Sequence, residues 1–191
     1  MFSCKINRLI ELRLIERHNS AELLNLINSN RSYWRQWHSL LDIMQSVQDI
    51  ERFITAGLQQ FANGGGFNSG IWFEGYLCGM IYHLNLNWLN RSTGLSYWLD
   101  KMHEGKGIMT ASCCAVVSHA FNTLRLNRVS IECATENTRS RAVPERLGFK
   151  LEGIIREAEW LYDHFVDHAL YSLLKSDYTD GNAVKPFQQE Y

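Results

Sequence analysis

The longest apolar run in the chain lies between Ile108 and Phe121, broken by Thr110, Ser112, Ser118 and His119, and two glycines, Gly105 and Gly107, stand just before it. The run is too short and too polar to span a bilayer. It reads instead as a helix from about Gly107 to Asn122, with Ile108, Ala111, Ala115 and Val116 anchoring it to a sheet. A helix that needs a sheet to cover it constrains everything around it. Upstream, Ile10–Ile15 alternates as a strand. Asn19 or Ser20 can cap a helix carrying Leu23, Leu24 and Ile27. Ser46-Val47-Gln48-Asp49 resembles a capping box, followed by Ile50, Phe53, Ile54, Leu58 and Phe61 on one helical face, and Asn63–Gly66 ends that helix. Strands follow near Phe67–Phe73, Tyr76–Leu84 and Thr93–Asp100, the first two joined by a Glu74-Gly75 turn. After the apolar helix come a strand at Arg128–Ala134, a short helix opened by Asn137, and strands at Phe149–Ile155 and Asp163–Leu174. Meandering strands with interspersed helices predict an α+β fold with a mixed sheet, not a doubly wound one.

The chain has 191 residues, which suits one domain with a full core, expected over residues 1–178 with a polar tail at 179–191. Apolar residues make up 46% and charged residues 20%, an ordinary globular balance. The formal charge of −1 gives no basic excess for general nucleic-acid binding. No uninterrupted apolar segment follows Met1-Phe2-Ser3-Cys4-Lys5-Ile6, so the start does not read as a signal peptide. Five cysteines without a C-x-x-C pair read as reduced thiols and lead to the expectation of a cytoplasmic protein.

The two glycines carry chemistry as well as geometry. N–H groups at a helix start are unpaired and hold the positive end of the helix dipole. Glycine permits positive φ and a close approach to the main chain. That combination suits a pyrophosphate, although a glycine pair before a helix also occurs as a plain tight turn. A Walker loop is excluded, because Lys106 is followed by Gly107. A dinucleotide fingerprint is excluded too, because Thr110 stands where its third glycine belongs.

The segment Tyr97-Trp98-Leu99-Asp100-Lys101-Met102-His103-Glu104-Gly105-Lys106-Gly107-Ile108-Met109-Thr110 resembles the coenzyme A-binding motif of the GNAT superfamily, R/Q-x-x-G-x-G/A. Downstream, Asn137-Thr138-Arg139-Ser140, continuing to Gly148-Phe149-Lys150-Leu151-Glu152-Gly153, is similar to the N-x-x-S…GF-x-x-EG signature of the branch that acetylates N-termini of ribosomal proteins. The resemblance covers about Ile10 to Tyr178. It implies a mostly antiparallel sheet of about seven strands flanked by about four helices, and a homo-oligomer. It also implies acetyl-coenzyme A held by Trp98, Leu99, Met102, His103, Glu104, Gly105, Lys106, Gly107, Ile108, Met109 and Thr110, with Asn137 and Ser140 from the second signature. Two positions depart from the pattern. Met102 replaces the usual Arg or Gln, leaving backbone N–H groups or Lys106 to hold phosphate. Pro144 replaces the tyrosine that protonates the departing thiolate in many members.

Asn137 is a good cap whose side chain should reach the N–H of Ser140. Pro144 then removes the hydrogen bond that the Ser140 carbonyl would accept, a change of about 3 kcal/mol in a regular helix. In the resembled branch the serine at this position assists the thiolate, and Glu157-Ala158-Glu159-Trp160-Leu161 resembles the segment that holds a catalytic glutamate. Ser140 and Glu159 are therefore the catalytic candidates, with Glu159 as general base. A backbone N–H near Trp98 and Leu99 would polarise the thioester carbonyl. Tyr33, Trp34 and Trp37 are expected to wall the acceptor cleft, with at least one Trp in the core. His164 and His168 share a strand face but have no third ligand in view, so no metal is expected. Cys78, Cys113, Cys114 and Cys133 read as core. The acceptor implied is a protein N-terminus, with a polyamine or aminoglycoside as the alternative enzyme substrate and a non-catalytic coenzyme A-binding module as the alternative class. Neither nucleic acid nor a membrane is expected as a partner.

Overall fold

The computed structural model describes residues 3–37, 39 and 42–178, so the 179–191 tail lies outside the described residues. Eight strands form one sheet: β1 (Ser3–Lys5), β2 (Ile10–Leu14), β3 (Asn68–Phe73), β4 (Tyr76–Asn87), β5 (Ser92–Leu99), β6 (Arg128–Ala134), β7 (Lys150–Leu161) and β8 (His164–Leu174). Their order across the sheet is β1-β2-β3-β4-β5-β6-β8-β7. Four α-helices accompany them: α1 (Ser20–Trp34), α2 (Val47–Ala62), α3 (Ile108–Asn122) and α4 (Thr138–Arg146). The α+β reading holds, with one strand more than the seven expected. The extra strand, β1, is three exposed residues with no alternation to reveal it.

Local chemistry explains most boundaries. Ser46 and Asp49 form the expected capping box: the Asp49 N–H donates to Ser46 Oγ at 3.2 Å and the Ser46 N–H donates to Asp49 Oδ2 at 2.9 Å. The Ser46 hydroxyl, donating to Asp49 Oδ2 at 2.7 Å, and the N–H groups of Gln45 and Ser46 stabilise the carboxylate and bring the Asp49 pKa down to about 2. At the start of α1 the expectation fails in detail. Asn19 precedes the helix, but its side chain accepts from the N–H of Glu16 at 3.1 Å instead of capping the helix. Glu74 and Gly75 both have positive φ, 52° and 87°, as a two-residue hairpin turn between β3 and β4 requires.

The sheet separates two cores. On one face α3 and α4 cover Leu95, Tyr97, Val129, Ile131, Cys133, Ala169 and Tyr171. On the other, Leu23, Ile27 and Trp34 of α1 and Ile50 and Ile54 of α2 pack on Trp72, Met80 and Trp98. Of the expected anchors of α3, Ile108 and Val116 are buried. Ala111 and Ala115 are only half-buried and lie on a cleft described below.

One pairing positions the functional site. β5 and β6 run parallel, with α3 as their crossover, and pair only over Ser92–Leu95 and Arg128–Ile131. Beyond that, β5 stays with β4 as far as Leu99, and β6 stays with β8 as far as Ala134. The two strands therefore part, and the sheet opens between Ser96–Leu99 and Glu132–Ala134.

A buried histidine beside this region makes the fold acid-sensitive. His83 is 1% exposed, and its Nδ1 lies 3.1 Å from Thr93 Oγ1. The Thr93 hydroxyl donates to main-chain carbonyls, so its oxygen accepts from Nδ1–H and leaves Nε2 as a buried lone pair without a partner. Burial first, and His119 second, hold the His83 pKa down to about 4 from 6.5. The folded state therefore favours neutral imidazole. This stability is present above pH 6.5 and is lost as pH falls toward 4, amounting to about 3 kcal/mol. Urea unfolding at pH 7 and pH 4 should show the loss, and His83→Gln should shrink the difference between the two pH values. An unchanged difference in the variant would assign the acid sensitivity to other groups.

Candidate active site

The parting of β5 and β6 opens into a cleft of about 1360 Å³ that runs from α1, through the split, to the start of α3. Its length and size suit an extended coenzyme better than a compact metabolite. At one end the chain leaves β5 through a short turn at Lys101–His103 and reaches Gly105 and Gly107, with φ of 75° and 70°. Gly107 caps α3 with left-handed backbone and no side-chain bond, so the first N–H groups of the helix stay available at the cleft. This is the geometry of a main-chain phosphate cradle.

The residues expected to hold a coenzyme divide into two groups. Trp98, Leu99, Glu104, Gly105, Gly107, Ile108, Met109, Thr110, Asn137 and Ser140 line the cleft. Met102, His103 and Lys106 are absent from its wall. Met102 is 80% exposed. His103 Nδ1 is held 2.8 Å from Asp100 Oδ2, and Lys106 Nζ lies 5.5 Å from the centre of the Phe73 ring. The glycine turn therefore presents main-chain groups to the cleft, with neither Met102 nor Lys106 reaching in.

In the split, strand alternation decides which main-chain donors face the cleft. The Asp100 N–H donates to Cys78 O of β4 at 2.7 Å, so even-numbered β5 residues direct their polar groups to β4. The N–H groups of Tyr97 and Leu99, and not that of Trp98, are then directed toward the split. The Leu99 carbonyl is taken by Trp34 Nε1–H at 3.0 Å. Trp34 is buried and packs on Trp98 with ring centroids 4.6 Å apart, so it serves as core as well as wall. Tyr33 and Trp37 line the cleft beside it.

Pro144 has the local effect its chemistry demands. The Ser140 carbonyl, denied its helical partner, accepts instead from Tyr97 OH at 3.0 Å. The Asn137 side chain accepts from the Ser140 N–H at 3.1 Å, as expected of the cap. Ser140 is thus fixed from both its main-chain groups, and it lines a pocket with Cys133, whose thiol pKa burial pushes up to about 11. A second, small pocket of about 50 Å³ continues from here toward the α1 and α2 face of the sheet, bringing Ser140 together with Trp37, Tyr97, Cys133, Glu159 and His168. Glu159 Oε1 lies 3.4 Å from Ser39 Oγ, and Oε2 lies 3.4 Å from His168 Nε2.

Several residues of this site are not among the sequence candidates. Arg139 sits in the second signature, yet nothing in its spacing marks it. In the structure its Nη1 donates to Glu104 Oε2 at 2.5 Å and to Tyr33 OH at 2.8 Å, while Tyr33 OH donates to Glu104 Oε1 at 2.7 Å. The three side chains tie α1, the glycine loop and α4 together across the mouth of the cleft. Cys114, expected in the core, is half-exposed and lines the cleft. No group of three or more metal-ligating side chains occurs among the described residues.

The acetyltransferase (GNAT) domain family matches residues 9–150, most of the chain. The chain belongs to the GNAT acetyltransferase family. It is 39% identical over 93% of its length to YdaF, a ribosomal N-acetyltransferase candidate of Bacillus subtilis, covering 98% of that protein. It is 29% identical to the ribosomal-protein-serine acetyltransferase of Escherichia coli, over 88% of this chain and 94% of that one. The microcin C7 self-immunity acetyltransferase MccE, solved in complex with acetyl-CoA and AMP, superposes with a TM-score of 0.86 at 25% identity, over 89% of this chain and 94% of that one. The GNAT chain is thus an acetyl-coenzyme A-dependent N-acetyltransferase.

Proposed function

We propose that this N-acetyltransferase modifies the N-terminal α-amino group of a protein, with ribosomal proteins as the leading acceptors, and that Ser140 and Glu159 do the chemistry. The observation that supports it is the small pocket joining Ser140 on the donor side to Glu159 on the opposite face, at the point where β5 and β6 part. Relatives named for ribosomal-protein acetylation across nearly the whole chain support the acceptor class.

In the reaction, acetyl-coenzyme A lies along the cleft with its pyrophosphate on the Gly105–Gly107 cradle. Glu159 accepts a proton from the incoming ammonium, and the neutral amine attacks the thioester carbonyl. Main-chain N–H groups of β5 stabilise the oxyanion. The C–S bond then breaks, the Ser140 hydroxyl donates a proton to the departing thiolate, and the nitrogen, cationic after its attack, gives up its second proton to restore the hydroxyl, leaving amide and free thiol. Pro144 cannot supply that proton, which gives Ser140 its place in the scheme.

A polyamine acceptor is the second reading, favoured by Glu132 and Glu159, two carboxylates that line the acceptor pocket together. A screen of free thiol release separates the two, using peptides with N-terminal Ser or Ala, a polyamine series and aminoglycosides. Turnover of the peptides and not of the small amines is expected, and the reverse would move the enzyme to the second reading. The five free cysteines support a cytoplasmic location, and no helix among the described residues is long and apolar enough to cross a membrane. Exposed Leu151, Ile154 and Ile155 on edge strand β7 support assembly with a second copy.

A further inference from the structure

We propose that His168 is a positioning residue that holds the Glu159 carboxylate in its reactive orientation and keeps it ready to accept the amine proton. The inference rests on Glu159 being the general base.

The two side chains reach each other because of an irregularity in the outer hairpin. β7 and β8 pair in register with Ile155 opposite His168 and Glu159 opposite Val166. Four steps along β7 therefore match two along β8, so β7 carries two extra residues as a bulge. The bulge is pinned: Glu157 takes a φ of 52° and its N–H donates to Asp167 Oδ1 at 2.7 Å. Two extra residues preserve the alternation of the strand, so Glu159 emerges on the same face as His168, with Oε2 at 3.4 Å from Nε2.

The partners differ in rigidity, which sets their roles. His168 is held between Ala134 of β6 and Ile155 of β7 on an interior strand. Glu159 lies beyond the bulge on the edge strand, paired by β8 alone. A carboxylate on a long, rotatable side chain there needs an external fixture, and the imidazole supplies it. Both line the pocket of about 50 Å³ with Ser140, a volume that takes a water molecule or the attacking nitrogen. The other titratable groups facing this pocket are Tyr97 from β5 and Glu132 and Cys133 from β6. None of these is a cation, so His168 is the one cation-forming side chain among the described residues that line it.

The test is the pH dependence of kcat/KM for thiol release with a synthetic peptide bearing a free N-terminal serine, or with whichever amine of the screen turns over. It compares the wild type with His168→Phe, His168→Gln and Glu159→Gln, with coenzyme A affinity and thermal melting as folding controls. A general base must be deprotonated, so activity rises with pH along the acid limb. The His168→Phe change removes the cation-forming neighbour 3.4 Å from the carboxylate, and an opposite charge at that range favours an ionised carboxylate. The limb in His168→Phe should therefore move up by about one pH unit, and turnover should fall ~10-fold. His168→Gln, which retains an N–H donor, should return the limb toward the wild type. An unmoved limb in His168→Phe, or a glutamine variant that matches the phenylalanine one, overturns the proposal. If Glu159→Gln loses turnover while the limb of His168→Phe stays put, only the role of His168 falls. If Glu159→Gln keeps wild-type turnover, the assignment of the base falls, and this proposal falls with it. Thiol release from no amine overturns both.

Discussion

Gly107→Val should lose coenzyme A binding, with an affinity drop of at least ~100-fold in calorimetric titration. The residue caps α3 with a φ of 70°. A β-branched side chain disfavours that backbone by about 1–3 kcal/mol, which already accounts for roughly one power of ten. The chain can escape the strain by rotating residue 107 out of the left-handed region. That rotation re-aims the first N–H groups of α3, and these are the donors the cradle offers. Met102 points to solvent and Lys106 rests on Phe73, so neither side chain of the glycine turn is placed to replace them. Gly105→Ala is the control. Its φ of 75° is equally left-handed, but an added Cβ there meets nothing within 4 Å. It should suffer only the local strain of about 1–2 kcal/mol and bind measurably. Both variants should melt cooperatively. A Gly107→Val protein that binds within threefold of the wild type would show that the phosphates are held elsewhere.

The second large effect belongs to the acceptor side. Glu159→Gln should bind coenzyme A normally and lower kcat by about 10²–10⁴, the range for removing a general base. Glutamine keeps the length and can still accept from Ser39 and His168, so lost positioning alone would not explain such a fall. Ser140→Ala should also spare binding, because the carbonyl that meets Tyr97 and the N–H that meets Asn137 belong to the main chain. Its turnover should fall by about 10- to 100-fold. Pre-steady-state mixing distinguishes the two: the serine variant slows departure of the thiolate, whereas the glutamine variant slows with falling pH less than the wild type does. If both variants retain full turnover, neither residue is catalytic.

Much of this architecture is legible in the sequence, for identifiable reasons. The apolar face of α3, the Ser46–Asp49 box and the Glu74-Gly75 turn are local patterns, and each sits where local physics puts it. Asn137 as cap and the freed carbonyl of Ser140 follow from the chemistry of two residues four or fewer positions away. What local pattern could not supply is the partner. Tyr97 lies 43 residues from the carbonyl it bonds, and Arg139 lies 106 residues from Tyr33. The pair His164 and His168 poses the same problem. Their spacing invites the question of a metal, whereas the neighbour that matters to His168 is Glu159, brought alongside by a bulge that no alternation rule foretells. Likewise Cys114 falls in an apolar run and still faces the cleft, because the outer side of α3 is built of small residues that leave it uncovered.

The bulge in β7 adds an even number of residues, and that parity has a consequence for how such an enzyme can diversify. An odd insertion that slipped the register by one would turn every side chain beyond it to the opposite face and remove Glu159 from the pocket. An even one changes the reach and bend of the outer hairpin while returning the same faces to the same neighbours. Trp160 and Phe165, packed edge to face with ring centroids 4.8 Å apart at the far end, can therefore be carried nearer to or farther from the reacting amine in steps of two residues. The donor half of the molecule, built on β5, α3 and α4, is untouched by such a step. One fold can thus keep a fixed appetite for its donor while its gauge for acceptors is reset, a ratchet with two-residue teeth.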